Sequence, residues 1–360
     1  MNKSIAIIGT VGCPPNYGGF ETLASQLVLH LRDKYDFTVY CSSGHYNKKV
    51  CDYFGAKLIY IPLDANGIQS IPYDGISIIH ALFGSDTLLI LGVSGCSILP
   101  FVRMASKKRI IINIDGIEWK REKWNTFAKR VLKTSEKIAA RNADIIVADN
   151  REIKKYLLTK YGIESHLIEY GGDHVVPVRN IEKYFEHFSF MRGTYALSVC
   201  RIEPENNIHL ILDAFSHVDT LPIAIVGNWD HSNYGKNLRK KYSSCKNLHL
   251  VDSIYDQEKL DALRSNCFVY IHGHSAGGTN PALVEAMHLA LPVVAFDVSY
   301  NRETTEDKAL YFRSAQDLLN LMTSIEDTDL KEISTSMSEV AKGRYTWKRI
   351  AEKYALLFEN

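Results

Sequence analysis

Cysteine is scarce in this 360-residue chain, and its seven residues (Cys13, Cys41, Cys51, Cys96, Cys200, Cys245 and Cys267) contain no C-x-x-C pair. That scatter excludes a zinc ribbon and a redox dithiol, and it fits a reducing cytoplasm. A G-x-G-x-x-G turn is also missing. After Gly9 the chain reads Thr10-Val11-Gly12-Cys13-Pro14-Pro15, and the second predicted strand ends in Cys41-Ser42-Ser43 without the acidic residue that binds ribose in a nicotinamide dehydrogenase. No G-x-x-x-x-G-K-[ST] occurs, which argues against a P-loop ATPase. The longest apolar stretch, Thr87 to Val102, is broken by Gly92, Gly95 and Pro100 and makes a poor spanning helix. Ser4 to Ile8 is too short for a signal-peptide core, so a cytoplasmic protein is expected. No recognition helix or RNA-binding motif is present, and no nucleic-acid partner is expected.

What is present is ordinary for a folded enzyme: 46% hydrophobic and 23% charged residues, with no low-complexity run. Short β-branched runs alternate with helical patterns from the start: Ile5 to Gly9, Thr38 to Ser42, Leu58 to Ile61, Leu88 to Leu91, Ile110 to Ile114 and Ile145 to Ala148. This alternation predicts a parallel sheet covered by helices on both faces. A second series runs through Tyr195 to Cys200, Ile223 to Val226, Leu248 to Val251, Phe268 to Ile271 and Val293 to Phe296. The length and the aperiodic stretch after Tyr170 predict two doubly wound α/β domains, residues 1–175 and 176–344. An amphipathic helix over 345–360 is free to pack on either of them.

The formal charge of +1 conceals an uneven distribution: from Leu99 to Arg141 there are twelve Lys/Arg against four Asp/Glu. The basic residues, Lys129, Arg130 and Lys133 among them, are interleaved with Trp119, Trp124 and Phe127. This pattern is expected to rest on anionic lipid, the bland alternative being a solvated helix face.

Two glycine pairs stand beside polar residues at the mouths of predicted helices, Gly18-Gly19 and Gly277-Gly278. Glycine lets backbone N–H groups approach a ligand closely, and a helix N-terminus favours an anion, so both read as phosphate-facing loops. One such pair alone reads as a simple turn; it is the two in paired halves that point to a ligand. Arg201 follows a predicted strand, where the carboxyl end of a parallel sheet faces the ligand, and its fixed, forked charge suits a diphosphate. A salt bridge to Glu203 or Glu205 is the competing role. Asn280-Pro281 is a helix opening with a capping residue. His272 and His274 lack a third ligand and a matched carboxylate, so no metal is expected.

Five segments occur in a telling order: Gly12-x5-Gly18-Gly19-Phe20-Glu21; Asp115-Gly116-x-Glu118-Trp119-x-Arg121-x-x-Trp124; Arg201-Ile202-Glu203-Pro204-Glu205-Asn206-Asn207; Gly278-Thr279-Asn280-Pro281-x3-Glu285-Ala286; and Asn301-Arg302-Glu303-Thr304-Thr305. Over nearly its whole length the chain resembles retaining glycosyltransferases of the GT-B fold, the large family 4 type, and within it the bacterial rhamnosyltransferases of surface-polysaccharide assembly. The resemblance implies two Rossmann-like domains facing a cleft and retention of anomeric configuration. It also implies transfer of L-rhamnose from a dTDP donor to a polyprenyl-diphosphate-linked saccharide at the inner membrane face, without a cofactor. It places Arg201, Asp115 and Asn206 at the reaction, and Gly18, Gly19, Gly277, Gly278, Thr279, Asn280, Glu285 and Arg302 at the donor. Glu21, Glu118, Trp119, Arg121 and Trp124 fall on the acceptor side, where carboxylates hold hydroxyls and an indole packs on a sugar ring.

Two departures from the family pattern matter. Asn206 stands where a lysine usually supplies a second positive charge, which leaves Arg302 as a substitute cation. Gly277 stands where a glutamate usually contacts the donor sugar, which leaves backbone donors at Gly278, Thr279 and Asn280 and favours a 6-deoxy sugar. Glu285 matches the glutamate that binds the nucleotide ribose. A nucleotide-sugar 2-epimerase of similar architecture and a catalytically silent sugar-binding protein are the other readings.

Overall fold

Parallel strands buried on both faces read as continuous apolar runs, and the first strand shows it, with Ile5, Ala6, Ile7 and Ile8 wholly buried. The computed structural model describes residues 2–15, 18–114, 116–120 and 125–359, Lys120 by its backbone alone. The chain divides into two units, Met1–Tyr170 with Trp347–Asn360, and Gly171–Thr346. The sequence reading set the division near residue 175; the structure sets it between Tyr170 and Gly171.

The first unit contains β1 (Lys3–Ile8), α1 (Gly19–Leu31), β2 (Tyr35–Ser42), β3 (Asp52–Tyr53), β4 (Ala56–Ile61), α2 (Ser70–Ala81), β5 (Thr87–Leu91), α3 (Leu99–Ala105), β6 (Arg109–Ile114), α4 (Thr126–Asn142), β7 (Ile145–Ala148), α5 (Arg151–Tyr161) and β8 (His166–Leu167). Its sheet runs β3-β4-β2-β1-β5-β6-β7-β8, parallel throughout except for the β3–β4 pair. Strand order reverses direction at β1, the topological switch point where such sheets bind ligands outside the strand carboxyl ends.

The second unit contains β9 (Ala196–Val199), α6 (Ile208–Phe215), β10 (Ile223–Val226), α7 (Asn233–Tyr242), β11 (Leu248–Val251), α8 (Gln257–Ser265), β12 (Val269–His272), α9 (Pro281–His288), β13 (Val293–Phe296), α10 (Ser299–Thr305), β14 (Leu310–Phe312), α11 (Ala315–Ser324) and α12 (Asp327–Arg344). Its sheet order is β11-β10-β9-β12-β13-β14, with the switch point between β9 and β12. Arg201 and the Gly277-Gly278 loop follow those two strands. The fold is α/β with two doubly wound parallel-sheet units. Apolar side chains of α6 (Ile208, Ile211, Leu212 and Phe215) fill the core with Trp229, while Leu283, Val284 and Met287 of α9 pack on Met337, Val340 and Ala341 of α12.

The last helix, α13 (Trp347–Glu359), leaves the second unit and packs on the first. Its stripe of Trp347, Ile350, Tyr354 and Phe358 joins Leu23, Leu27, Val28 and Leu31 of α1 in one core. Each such side chain contributes about 1.5–3 kcal/mol when fully buried. Polar contacts fix the register: Asn113 donates to the Tyr354 hydroxyl at 2.8 Å, and Lys353 meets Glu169 at 2.7 Å. No helix among the described residues is long and apolar enough to cross a membrane.

Candidate functional site

In the second unit the chain leaves β9 through Cys200 and Arg201 and makes a tight turn at Pro204–Asn206 before α6 begins. Asn206 fixes this turn. Its Nδ2 donates to the Arg201 carbonyl at 2.7 Å, so its Oδ1 faces His274 Nδ1 at 2.7 Å, and that nitrogen carries the ring proton. Asn207 Nδ2 reaches the Gly273 carbonyl at 2.9 Å, and Ser275 donates both its N–H and its hydroxyl to the Glu205 carbonyl. Asn301 then ties the His274 carbonyl to that of Phe296, both at 2.8 Å. Three loops at the carboxyl ends of β9, β12 and β13 are thereby laced into one frame.

Within that frame the half-buried Arg201 guanidinium makes no hydrogen bond or ion pair with any described residue. Glu203 lies 4.0 Å from His231, and the buried Glu205 carboxylate has no hydrogen-bond partner among the described residues. The competing salt bridge is therefore absent. Asn206 sits beside Arg201, but its amide is engaged by the loop frame; it holds the arginine's backbone.

Arg302 is bound differently. Its Nε lies 2.5 Å from Asp297 and its NH1 2.9 Å from Asp307, and the guanidinium stacks 4.1 Å above the Tyr311 ring. The hydrogen bonds to those carboxylates push its pKa up. Its charge is answered locally by Asp297 and Asp307, so it offers no surplus in place of the missing lysine.

The loop after β12 enters α9 through Asn280, whose Oδ1 accepts the Ala282 N–H at 3.0 Å, with Pro281 at the first helical position. Gly277 has φ of +127°, and a Cβ there would stand 3.1 Å from His274 Nε2. Both the backbone conformation and the close histidine favour glycine at this position. Gly278 continues the loop, and Thr279 is buried in it.

Glu285 lies one turn inside α9 and is buried. Burial opposes its charge, but the Arg264 guanidinium and His174 outweigh that penalty and hold its carboxyl below the usual carboxylate range. Arg264 contacts Glu285 Oε2 through NH2, and His174 Nε2 lies 3.3 Å from Oε1. The Arg264 NH1 also lies 3.7 Å from Asp261, which accepts from the Val176 N–H and from Gln257. Sequence reading passed over Arg264 and His174. The available signal was a charged residue beside Ala262 and Leu263 on the buried side of α8.

In the first unit Gly18 caps α1 with φ of +123°, and Gly19 opens the helix. A Cβ on Gly18 would stand 2.2 Å from Glu21 Oε2. Glu21 is buried, and its Oε1 accepts the Val11 N–H at 2.8 Å, so it braces the β1–α1 loop. Burial raises its pKa, and the hydrogen bonds from Val11 and Thr10 oppose that shift. Gly18→Ala is expected to cost about 1–3 kcal/mol through backbone strain and displacement of Glu21, read as a lower urea midpoint with an unchanged slope.

Trp119 belongs to a polar knot. Its Nε1 donates to Glu136 at 3.1 Å, and Lys133 and Lys160 lie 5.0 and 4.7 Å from its ring centroid. Glu136 also accepts from Tyr156 at 2.7 Å and Tyr161 at 2.6 Å, and pairs with Lys160 at 3.1 Å. The indole, partly exposed, thus has two cations beside its ring. Glu118 begins the same short turn. Asp115, Arg121 and Trp124 lie outside the described residues. A polar recess at the ends of β2 and β4, lined by Ser43, His45, Asp64 and Gln69 among others, was not read from the sequence. His45 pairs with Asp64 at 3.1 Å there.

Among the described residues no group of three His, Cys, Asp or Glu side chains is arranged to hold a metal ion. The one D-x-D element, Asp327-Thr328-Asp329, opens α12, where Asp329 completes a capping box with Glu326.

Two doubly wound parallel-sheet units in one chain make the GT-B architecture. Sucrose-phosphate synthase from Thermosynechococcus elongatus superposes with a TM-score of 0.84 at 17% identity, covering 99% of this chain and 98% of that one. HepE from Anabaena, in complex with UDP-glucose, gives 0.80 at 14% identity with 99% of each chain covered. Residues 180–344 match the family described as glycosyl transferases group 1. Residues 2–173 match a domain of unknown function, DUF1972. An uncharacterized glycosyltransferase of Methanocaldococcus jannaschii is 22% identical, with 96% of each chain covered.

Proposed function

We propose that this chain is a retaining glycosyltransferase that moves L-rhamnose from dTDP-L-rhamnose onto a lipid-linked saccharide in surface-polysaccharide (O-antigen or capsule) biosynthesis. The observation that carries this reading is Arg201: a forked cation without a partner among the described residues, its backbone held by Asn206 at the switch point of the unit that matches glycosyl transferases group 1. Such a group answers a charge brought by a ligand, and a nucleotide-sugar diphosphate supplies it. The bond from the sugar C1 to the diphosphate oxygen breaks, and the acceptor hydroxyl oxygen bonds to C1 on the same face. The acceptor proton passes to the departing diphosphate, and Arg201 stabilises the charge that grows there. Glu285, kept ionised by Arg264, accepts hydroxyls of the nucleotide ribose. The α9 N-terminus and the Gly277-Gly278-Thr279 backbone face the sugar and phosphates. The acceptor falls to the first unit, where the His45–Asp64 recess provides polar groups for hydroxyls.

The donor assignment rests on Gly277, which leaves no carboxylate at that position for a sugar hydroxyl, as a 6-deoxy sugar permits. Incubation with a panel of nucleotide sugars and lipid-linked acceptors, read by product mass and anomeric NMR, tests both donor and stereochemistry. dTDP-L-rhamnose is expected to give a higher initial rate than UDP-glucose and GDP-mannose. A preference for either competitor refutes the rhamnosyl assignment, and an inverted product refutes retention.

A further inference from the structure

Right-handed crossovers place every connection that advances from β4 through β5, β6 and β7 to β8 on one side of the first unit's sheet. Helices α2 to α5 therefore share a face, opposite α1 and α13. That face exposes apolar side chains to an unusual degree: Ile68 is 75% exposed, Phe101 73%, Met104 86% and Phe127 75%. A helix that follows a strand begins at the strand's carboxyl end. Phe101 and Phe127, in the first turns of α3 and α4, and Ile68, just ahead of α2, consequently lie toward the ligand edge of the sheet. The beginnings of α2 and α4 abut, since Ile68 and Ile71 line a shallow crevice with Ala128 and Leu132.

Along α4 the exposed charge beside these residues has one sign. Along α4 the exposed Arg130, Lys133, Lys137 and Arg141 recur at helical spacing behind Phe127. The helix's one acid, Glu136, is buried beneath Trp119, Tyr156 and Tyr161 and adds no anion to the surface.

We propose that this face seats on an anionic phospholipid bilayer, with Phe101, Met104, Phe127 and Ile68 entering the interfacial region and the α4 cations meeting the headgroups. An anionic bilayer matches both halves of the pattern, because it offers negative charge at the surface and hydrocarbon just below it. A nucleic acid would answer the cations and leave Met104 and Ile68 in water. A second copy of the chain would set α4 cations against cations of its twin. The proposal deepens the lipid-linked-acceptor reading, and its test runs without donor or acceptor, so that failure of one leaves the other standing.

The test is sedimentation of the full chain with vesicles of phosphatidylglycerol and phosphatidylcholine, and of phosphatidylcholine alone, at low and high salt. The chain is expected to bind the anionic vesicles, to bind less as salt screens the cations, and to retain a residual affinity from the apolar contacts. The double variant Phe101→Ser/Met104→Ser is expected to lose roughly tenfold or more in affinity at both salt levels. Arg130→Glu/Lys137→Glu is expected to lose most at low salt. All four positions are exposed or on the solvent stripe, and far-UV circular dichroism checks that each variant is folded. No binding of the unaltered chain to anionic vesicles at low salt overturns the proposal, as does equal binding by the unaltered chain and both variants. A dimer in light scattering that Phe101→Ser/Met104→Ser dissociates, without vesicle binding, assigns the face to a second copy instead.

Discussion

Arg201→Ala is expected to lower kcat by roughly 100- to 1,000-fold while donor affinity changes far less, the scale seen when one preorganised transition-state donor is removed. The nucleotide diphosphate is already anionic in the bound donor, and it gains charge as the sugar bond breaks. A cation held near it therefore strengthens most in the transition state. The proposed role rests on what surrounds the residue: Glu203 and Glu205 do not pair with it, Arg302 is paired with Asp297 and Asp307, and Asn206 brings no charge. Arg201→Lys separates charge from geometry. It keeps a cation but loses the fork, and intermediate activity is the expected outcome. Unchanged turnover in Arg201→Ala, with donor binding measured by calorimetry, removes the residue from the mechanism.

The fold was legible because parallel strands announce themselves as short apolar runs, and the runs through Ile5, Val39, Leu58, Leu88, Ile110 and Ile145 all became strands. Three short strands escaped. The strands β3 and β8 have two residues each and β14 three, too few to show a period. The final helix declared its apolar stripe but not its partner, since the choice of α1 depends on contacts more than three hundred residues away in sequence, such as Lys3 with the Phe358 carbonyl. The cap of α9 was readable for the same local reason: Asn280-Pro281 opens a helix by its own chemistry. Arg264 was not, because nothing near it in the chain reveals that a carboxylate from the next helix will lie against it. Trp119 has contacts that its neighbours in the chain did not announce. The sequence reading placed it on the acceptor side; in the structure Glu136 accepts from its indole, and Lys133 of α4 and Lys160 of α5 lie beside its ring.

The second large effect follows from that unread pair. Arg264→Met keeps the bulk of the side chain and removes its charge, leaving Glu285 ionised inside α9 with His174 as its remaining partner among the contacts described above. Breaking a buried ion pair on one side costs about 3–5 kcal/mol, because the surviving charge is desolvated without compensation. A loss of that size is expected as a lower urea midpoint at neutral pH. Its pH dependence has a definite sign. In the unaltered protein the folded-state pKa of Glu285 is depressed, so the pair's contribution is fully present above the ordinary glutamate pKa of about 4.3 and disappears as pH falls through the lower folded value. In the variant, burial acts with the arginine gone and raises that pKa, so protonation relieves the penalty at a higher pH. The stability gap between the two proteins should therefore narrow steadily from neutral pH toward acid. Glu285→Gln added to Arg264→Met should recover part of the loss at neutral pH, since the neutral amide no longer needs a counter-charge. Loss of donor binding in that double variant, with the fold restored, would separate what Glu285 does for the nucleotide from what it does for the helix. A gap under about 1 kcal/mol, or one that does not change with pH, would mean that the pair carries neither the stability nor the ionisation ascribed to it.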